Sequence, residues 1–176
     1  TVSVSNINRQ LPALLSTLGQ FKAELIKERI FEINPHCEVE IITEFLTVDN
    51  LEQFLPESCD YVIDAIDSLN SKVALIAKSY QRGFKVASSM GAGNRLDPTR
   101  IKLADISKTE VCPLARVVRQ RLRRLNIHKG ILTVYSDEEG RAPLPPEPVG
   151  EGRPRAVNGT ISYMPGLFGL TLAGGV

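Results

Sequence analysis

Residues 60–68 read Asp-Tyr-Val-Ile-Asp-Ala-Ile-Asp-Ser, and this stretch decides the fold. Tyr61 to Ile66 is a short, mostly apolar run between acids, which predicts a buried strand with polar ends. Ser68 stands where a hydroxyl can cap a helix. Leu69, Val73, Ile76 and Tyr80 then follow at intervals of four, three and four, one side of a 3.6-residue period. Gly83 supplies the stop, and residues 84–90, Phe-Lys-Val-Ala-Ser-Ser-Met, make the next strand. A strand, a helix and a second strand in this order are the unit of a parallel sheet.

The pattern repeats outward. Ala23, Ile26, Ile30 and Ile33 predict a helix over 18–34, with Glu24, Lys27, Glu28 and Glu32 opposite and Asn34-Pro35 as its end. A β-rich segment is expected at 38–43 and a short helix at 48–55, holding Leu51, Phe54 and Leu55. Downstream, Gly-Ala-Gly-Asn-Arg-Leu-Asp-Pro at 91–98 turns the chain and 99–106 reads as a strand. Leu114, Val118, Leu122 and Leu125 mark a helix over 113–126, and 130–136 is a further strand. The stretch 137–159 is crowded with Pro, Gly and charge and is expected to be a mobile loop. The remainder, 160–176, reads as a small-residue helix packing on the same domain. The fold class is α/β, a largely parallel sheet flanked by helices.

Composition narrows the function classes. The chain has 176 residues, 43% of them hydrophobic, enough for an ordinary domain with a real core. No apolar run approaches the roughly 20 residues that cross a bilayer, so no membrane role is expected. A net charge of +1 gives no global pull toward nucleic acid, and any basic patch is local. Cys37, Cys59 and Cys112 are too few and too scattered for a disulfide framework. Buried, inert thiols in a reducing cytoplasm are expected, and no C-x-x-C pair offers a zinc site. His36 and His128 have no partners at metal-ligand spacing.

Two features could carry chemistry. Gly91-x-Gly93 follows a strand, but position 96 is Leu and Pro98 follows, so a glycine turn with positive φ is expected rather than a dinucleotide loop. Asp64 and Asp67 fall at the carboxyl end of a parallel strand, where open α/β sheets bind ligands and a carboxylate can hold magnesium. For Asp67, capping of the next helix is the competing role. Lys22 near a helix start suits a phosphate, and Arg9, in Ser-Asn-Ile-Asn-Arg-Gln at 5–10, suits an anionic transition state. For both, a solvated surface charge is the alternative.

Several elements together, "SNINRQ" at 5–10, "GQFKAE" at 19–24, "DAIDS" at 64–68 and "DPTRIKLADISKT" at 97–109 followed by "PLA" and an Arg-rich helix, resemble the adenylating enzymes related to ubiquitin-activating enzyme. Within them the last combination is most similar to the tRNA threonylcarbamoyladenosine dehydratase branch. The likeness covers residues 2 to about 136, with a weaker echo at 159–174. It implies a Rossmann-like adenylation domain over 1–136. The family's Gly-rich loop and its first βαβ unit lie upstream of the "SNxxRQ" element; the chain opens on Thr1 rather than Met, and a longer N-terminus is expected. Residues 1–176 by themselves are expected to bind ATP weakly.

The resemblance also implies roles. Asn6, Arg9, Lys22 and Asp67 belong to the ATP site: Arg9 reaches into the partner subunit of a homodimer, Lys22 contacts the phosphates, and Asp67 handles magnesium. The activity implied is ATP-dependent adenylation of the threonyl carboxylate of threonylcarbamoyladenosine in tRNA, followed by cyclisation. A cysteine desulfurase or sulfur-acceptor system is an implied partner. The alternatives are an activator of a ubiquitin-like or sulfur-carrier protein and a non-catalytic relative. Some dehydratases carry a cysteine near a Gly-Phe-Gly-like segment; here Ile161 to Gly169 contains none. Arg116, Arg119 and Arg123 share one side of the Arg-rich helix and form a candidate stripe for tRNA phosphates, the alternative being a solvated helix face. No aromatic is interleaved, so backbone contacts are expected there.

Overall fold

The computed structural model describes residues 1–142 and 159–176. Their contacts divide into two units, Thr1–Phe45 and Leu46–Val176. Most of the mobile loop expected at 137–159 therefore lies outside the described residues.

In the first unit, 3-10 turns at Val4–Asn6 and Leu15–Thr17 precede helix α1 (Lys22–Ile33). The N-terminal run is tied to the approach to α1: Val2 N–H donates to Gln20 O at 2.9 Å, and Gly19 N–H to Val2 O at 3.0 Å. Gly19 takes φ +83°, a value that suits glycine, and α1 begins only after it, four residues later than the periodicity suggests. Asn34 before Pro35 is extended and ends the helix as expected. No residue of α1 is buried, and Ile33 is 73% exposed, so its apolar side is not core. The strand expected at 38–43 does not form. A strand exists only through its ladder, and none of the described strands pairs with this segment.

The second unit holds α2 (Leu51–Phe54), β1 (Tyr61–Asp64), α3 (Leu69–Gln81), β2 (Lys85–Ser89), β3 (Ile101–Asp105), α4 (Pro113–Arg123), β4 (Ile131–Ser136) and α5 (Tyr163–Ala173). The sheet order is β1-β2-β4-β3. β1, β2 and β4 are mutually parallel in sequence along the sheet, and β3 runs antiparallel to β4 at the edge. The expected largely parallel α/β sheet is thus present.

Period-two alternation sorts the strand side chains into two cores. Val86, Ile131 and Tyr135 face α3 and α4, packing with Val73, Ile76, Ala77, Ala115, Val118 and Leu122. Ala87 and Val134 face the other way, onto Met164, Phe168 and Leu172 of α5. Helices therefore cover both sides, which a parallel sheet requires. Leu122 is fully buried, and cutting it to Ala is expected to cost ~2–5 kcal/mol. Leu125, expected on the same apolar side, lies beyond the end of α4 and is 45% exposed. Gly83 takes φ +81° just past α3, the helix stop expected from its position. Among the described residues no helix is long and apolar enough to cross a membrane.

Because β1, β2 and β4 are parallel, the segments that follow them leave from one edge of the sheet. Those segments are 65–67, 90–97 and 137–141.

Candidate functional site

The first unit carries Asn6, Arg9 and Lys22. Asn6 is buried, and its Oδ1 accepts the Ser3 N–H at 3.3 Å. Arg9 is half-exposed and directs Nη1 to Ser5 O at 2.7 Å and to Asn8 Oδ1 at 2.9 Å. Both bonds hold Nη1, one terminal nitrogen of the guanidinium. Lys22 is the first residue of α1, whose N-cap, Phe21, makes no side-chain cap. Uncapped N–H groups and the positive end of the helix dipole stand beside the ammonium, a setting that favours phosphate.

The second unit carries Asp67. It is exposed and lies between β1 and α3, whose N-cap position is Ser68 rather than Asp67. Its carboxylate has no partner among the described residues, so the helix-capping role is not what the structure gives it. Asp64 behaves in the opposite way. It is fully buried, its Oδ2 accepting Lys72 Nζ and Ser88 Oγ, each at 2.6 Å, and its Oδ1 accepting the Ile66 N–H at 3.0 Å. Lys72 Nζ also donates to Ser89 O at 2.9 Å. Asp64 is therefore no metal ligand. It is a rivet that joins the ends of β1 and β2 to α3 and shapes the turn that presents Asp67. A buried pair of this kind is tolerated because its donors and acceptors are used.

The segment 90–97 forms the next wall of the same edge. The positive φ expected of a glycine here is taken by Asn94, at +60°; Asn tolerates this region better than other non-glycine residues, and Gly91 has no need of it. Asn94 O accepts the Arg141 N–H at 2.9 Å. The Glu138 carboxylate accepts the N–H groups of Leu96 and Asp97, at 2.9 Å each to Oε2. Asp137 pairs with Arg100 at 2.7 Å and with Lys102. Hydrogen bonds from Lys102 and then Arg100 hold the Asp137 carboxyl below the usual carboxylate range. Residues 137–141, expected to be mobile, are thus tied to the turn after β2. Arg95 is buried within that turn, with Nη1 donating to Gly93 O at 3.0 Å.

The Arg-rich helix is divided. Arg116 and Arg123 are exposed. Arg119 is half-buried and its Nη1 is engaged by Thr109 O at 2.9 Å, Thr109 Oγ1 and Ile106 O. Its position four residues after Ala115 and three before Leu122, both buried, puts it at the border of the core. Arg121 donates to Asn70 Oδ1 at 2.6 Å. Cys112 is buried as expected, whereas Cys37 and Cys59 are half-exposed. Among the described residues no group of His, Cys, Asp or Glu side chains gathers into a metal cluster.

The geometry thus groups Asn6, Arg9 and Lys22 in one unit and Asp67, Arg116, Arg119 and Arg123 in the other. Sequence reasoning missed the Asp64–Lys72–Ser88 rivet. Its members are 8 and 24 residues apart, and no periodicity links them.

Comparison with known proteins gives these residues a context. The model of the ThiF family matches residues 1–175. The chain is 50% identical over 137 residues to a tRNA threonylcarbamoyladenosine dehydratase of Bacillus subtilis, covering 78% of this chain and 54% of that protein. It is 44% identical over 122 residues to the dehydratase of Escherichia coli, covering 69% of this chain and 46% of that one. The crystal structure of E. coli tRNA N6-threonylcarbamoyladenosine dehydratase in complex with ATP superposes with a TM-score of 0.83 at 34% identity, over 99% of this chain and 69% of that chain. The chain spans about half the length of the curated relatives it matches.

Proposed function

The chain belongs to the ThiF family, and from that premise we propose that the protein to which it belongs is an ATP-dependent tRNA threonylcarbamoyladenosine dehydratase. The observation that carries this is the likeness, over 99% of the chain, to a dehydratase structure that contains ATP.

In this proposal a threonyl carboxylate oxygen of the modified tRNA attacks the α-phosphorus of ATP. Pyrophosphate leaves and an acyl-adenylate forms. The carbamoyl nitrogen then attacks the activated carbonyl carbon, AMP departs with the former carboxylate oxygen, the nitrogen loses its proton, and a ring closes. The nucleophile of the second step is already part of the substrate. Orientation alone can therefore lower its barrier by roughly 7–11 kcal/mol, without a covalent enzyme intermediate. The absence of a cysteine between Ile161 and Gly169 is compatible with such a route.

The protein's share is charge and position. Lys22 and the start of α1 receive phosphate oxygens. Asn6 lines the nucleotide, and Arg9, with Nη1 held by its own turn, offers its guanidinium to the phosphates bound by the partner subunit of a homodimer. Asp67 fits magnesium by chemistry: it is an exposed hard oxygen donor with no protein partner among the described residues, and magnesium commonly takes one carboxylate plus phosphates and water. When bound, the ion neutralises charge on the phosphates. Asp67 would hold it, and the Asp64–Lys72 rivet would keep Asp67 at the sheet edge. Arg116 and Arg123, with Arg119 at the border of the stripe, would meet the tRNA backbone, in a cytoplasmic setting.

The experiment is AMP release by the full-length protein. Release is expected with ATP and tRNA bearing threonylcarbamoyladenosine, with none from ATP and a carrier protein ending in Gly-Gly. The reverse result would overturn the dehydratase assignment in favour of a carrier-protein activator.

A further inference from the structure

Arg95 is an arginine of unusual situation. It is 6% exposed, yet its Nε and Nη2 groups have no hydrogen-bond acceptor among the described residues. Among these residues only Nη1 is used, donating to Gly93 O at 3.0 Å. Nε–H and the neighbouring Nη2–H form one edge of the guanidinium, two parallel donors at the spacing of a carboxylate or a phosphate. A buried charged donor without an acceptor is costly, so an unmet guanidinium edge calls for a partner such as an ordered water, an ion or a ligand group.

The surroundings keep this edge in place. Nη1 is fixed to the backbone of its own turn. Gly140 stands beside the guanidinium, close enough that a Cβ there would lie in ordinary van der Waals contact with Nη1, at 3.5 Å. The nearby acid, Glu138, is spent on the N–H groups of Leu96 and Asp97, and Asp137 on Arg100 and Lys102. Neither forms an ion pair with Arg95. The turn that holds Arg95 follows β2, which is parallel to β1, and Asp67 follows β1. Both residues therefore sit on the ligand-binding edge of the sheet.

We propose that the Nε/Nη2 edge of Arg95 binds the carboxylate of the acyl substrate and orients it for adenylation. This rests on the function proposed above. There the phosphates are provided for by Lys22, Arg9 and Asp67, whereas the second anion of the reaction, the carboxylate nucleophile, has no cation assigned to it. Two anions must meet in the first step, and a planar fork both neutralises a carboxylate and fixes which oxygen faces phosphorus. Gln at position 95 lacks this charge and fork; Lys keeps the charge and a donor for the Gly93 carbonyl but lacks the planar edge.

The test uses the full-length protein and two stem-loop RNAs, one carrying threonylcarbamoyladenosine and one with its threonyl carboxylate as the methyl ester. Fluorescence anisotropy gives the affinity of each for the parent, Arg95→Gln and Arg95→Lys, with thermal melts as the folding control. The parent should prefer the acid over the ester by roughly ten- to a hundredfold. In Arg95→Gln that preference should vanish, and in Arg95→Lys, the variant to rely on if the glutamine form does not fold, it should shrink without disappearing. Titration with ATP and magnesium should show less than about a twofold change in either variant, as Arg95 is outside the phosphate set. An acid preference that is missing in the parent, or unaltered in the variants, overturns the inference. So does a loss of ATP affinity with the acid preference intact, which would assign the fork to a phosphate. A parent that binds neither RNA and releases no AMP overturns the dehydratase assignment, and the carboxylate role falls with it.

Discussion

Lys72 Nζ lies 2.6 Å from Asp64 Oδ2, and both side chains are shielded from solvent, at 1% and 0% exposure. The same ammonium reaches Ser89 O at 2.9 Å, so one cation ties the carboxyl ends of β1 and β2. Breaking such a pair from one side leaves a buried charge with no counter-ion. Lys72→Met is expected to destabilise the fold by ~3–5 kcal/mol in urea unfolding, more than the double variant with Asp64→Leu. A cost below about 1 kcal/mol for Lys72→Met would show that water reaches Asp64.

Asp67 stands three residues away, exposed and without a partner among the described residues. Asp67→Ala should leave stability within about 0.5 kcal/mol of the parent, because an exposed side chain with no partner among the described residues loses little when truncated. Pyrophosphate release should nevertheless fall to background. Retained release would remove Asp67 from the magnesium site.

Arg9 is proposed to act across a dimer, and that has a signature in mixtures. Arg9→Ala and Asp67→Ala homodimers should each be inactive. Refolded or co-expressed together, they should regain about one quarter of parental activity, since half of random dimers are mixed and each mixed dimer assembles one intact site. No regain would place Arg9 and Asp67 in the same protomer's site, or remove the dimer.

The two exposed arginines of α4 should be separable from the tethered one. Arg116→Glu with Arg123→Glu is expected to weaken tRNA binding and to lower the slope of log affinity against log salt by about 2. Arg119→Ala should instead cost ~1–2 kcal/mol of stability, because it removes the bonds to Thr109 and Ile106. Unchanged salt slopes in the double variant would leave α4 as an ordinary solvated helix.

Asp137 predicts an acid limb. Its carboxyl is held below the usual range by Lys102 and Arg100, so it binds protons more readily in the unfolded chain than in the folded one. Its stabilisation is complete above the ordinary carboxylate value, about pH 4, and is lost as pH falls below that toward the depressed folded value. Asp97 and Asp105 share the direction: hydrogen bonds from the Thr99 hydroxyl and backbone lower the first, while at the second burial works upward but is outweighed by bonds from Ser107 and Gly130. Melting temperature followed from pH 6 downward should drop less steeply in Asp137→Asn than in the parent. Parallel curves would mean that Asp137 is unpaired in solution.

How much of this was legible before the fold was known differs from element to element. The strand at 61–64, the helix after Ser68, its stop at Gly83 and the strand at 85–89 follow from apolar spacing and one glycine, because they depend on neighbours a few residues away. The segment 38–43 has strand-forming residues and is no strand, since a ladder is a property of two segments and not of one. Asp67 and Arg9 could be picked out through motif resemblance, as their positions in short exposed runs are visible in the chain. Arg95 has no distinguishing spacing within the glycine turn at 91–98; only its burial, together with Nε and Nη2 donors unmet among the described residues, sets it apart.

The sequence by itself determined the α/β alternation, the carboxylates at the end of β1 and the basic character of α4. These are periodicities and compositions, which local chemistry writes directly into the chain. The tertiary structure alone decided that Asp64 is riveted by Lys72 while Asp67 has no partner among the described residues, that Arg119 is a tether while Arg116 and Arg123 face solvent, and that Arg95 is buried with Nε and Nη2 unmet among those residues. Each of those outcomes depends on which distant atoms supply or withhold a hydrogen bond, and no spacing along the chain encodes that.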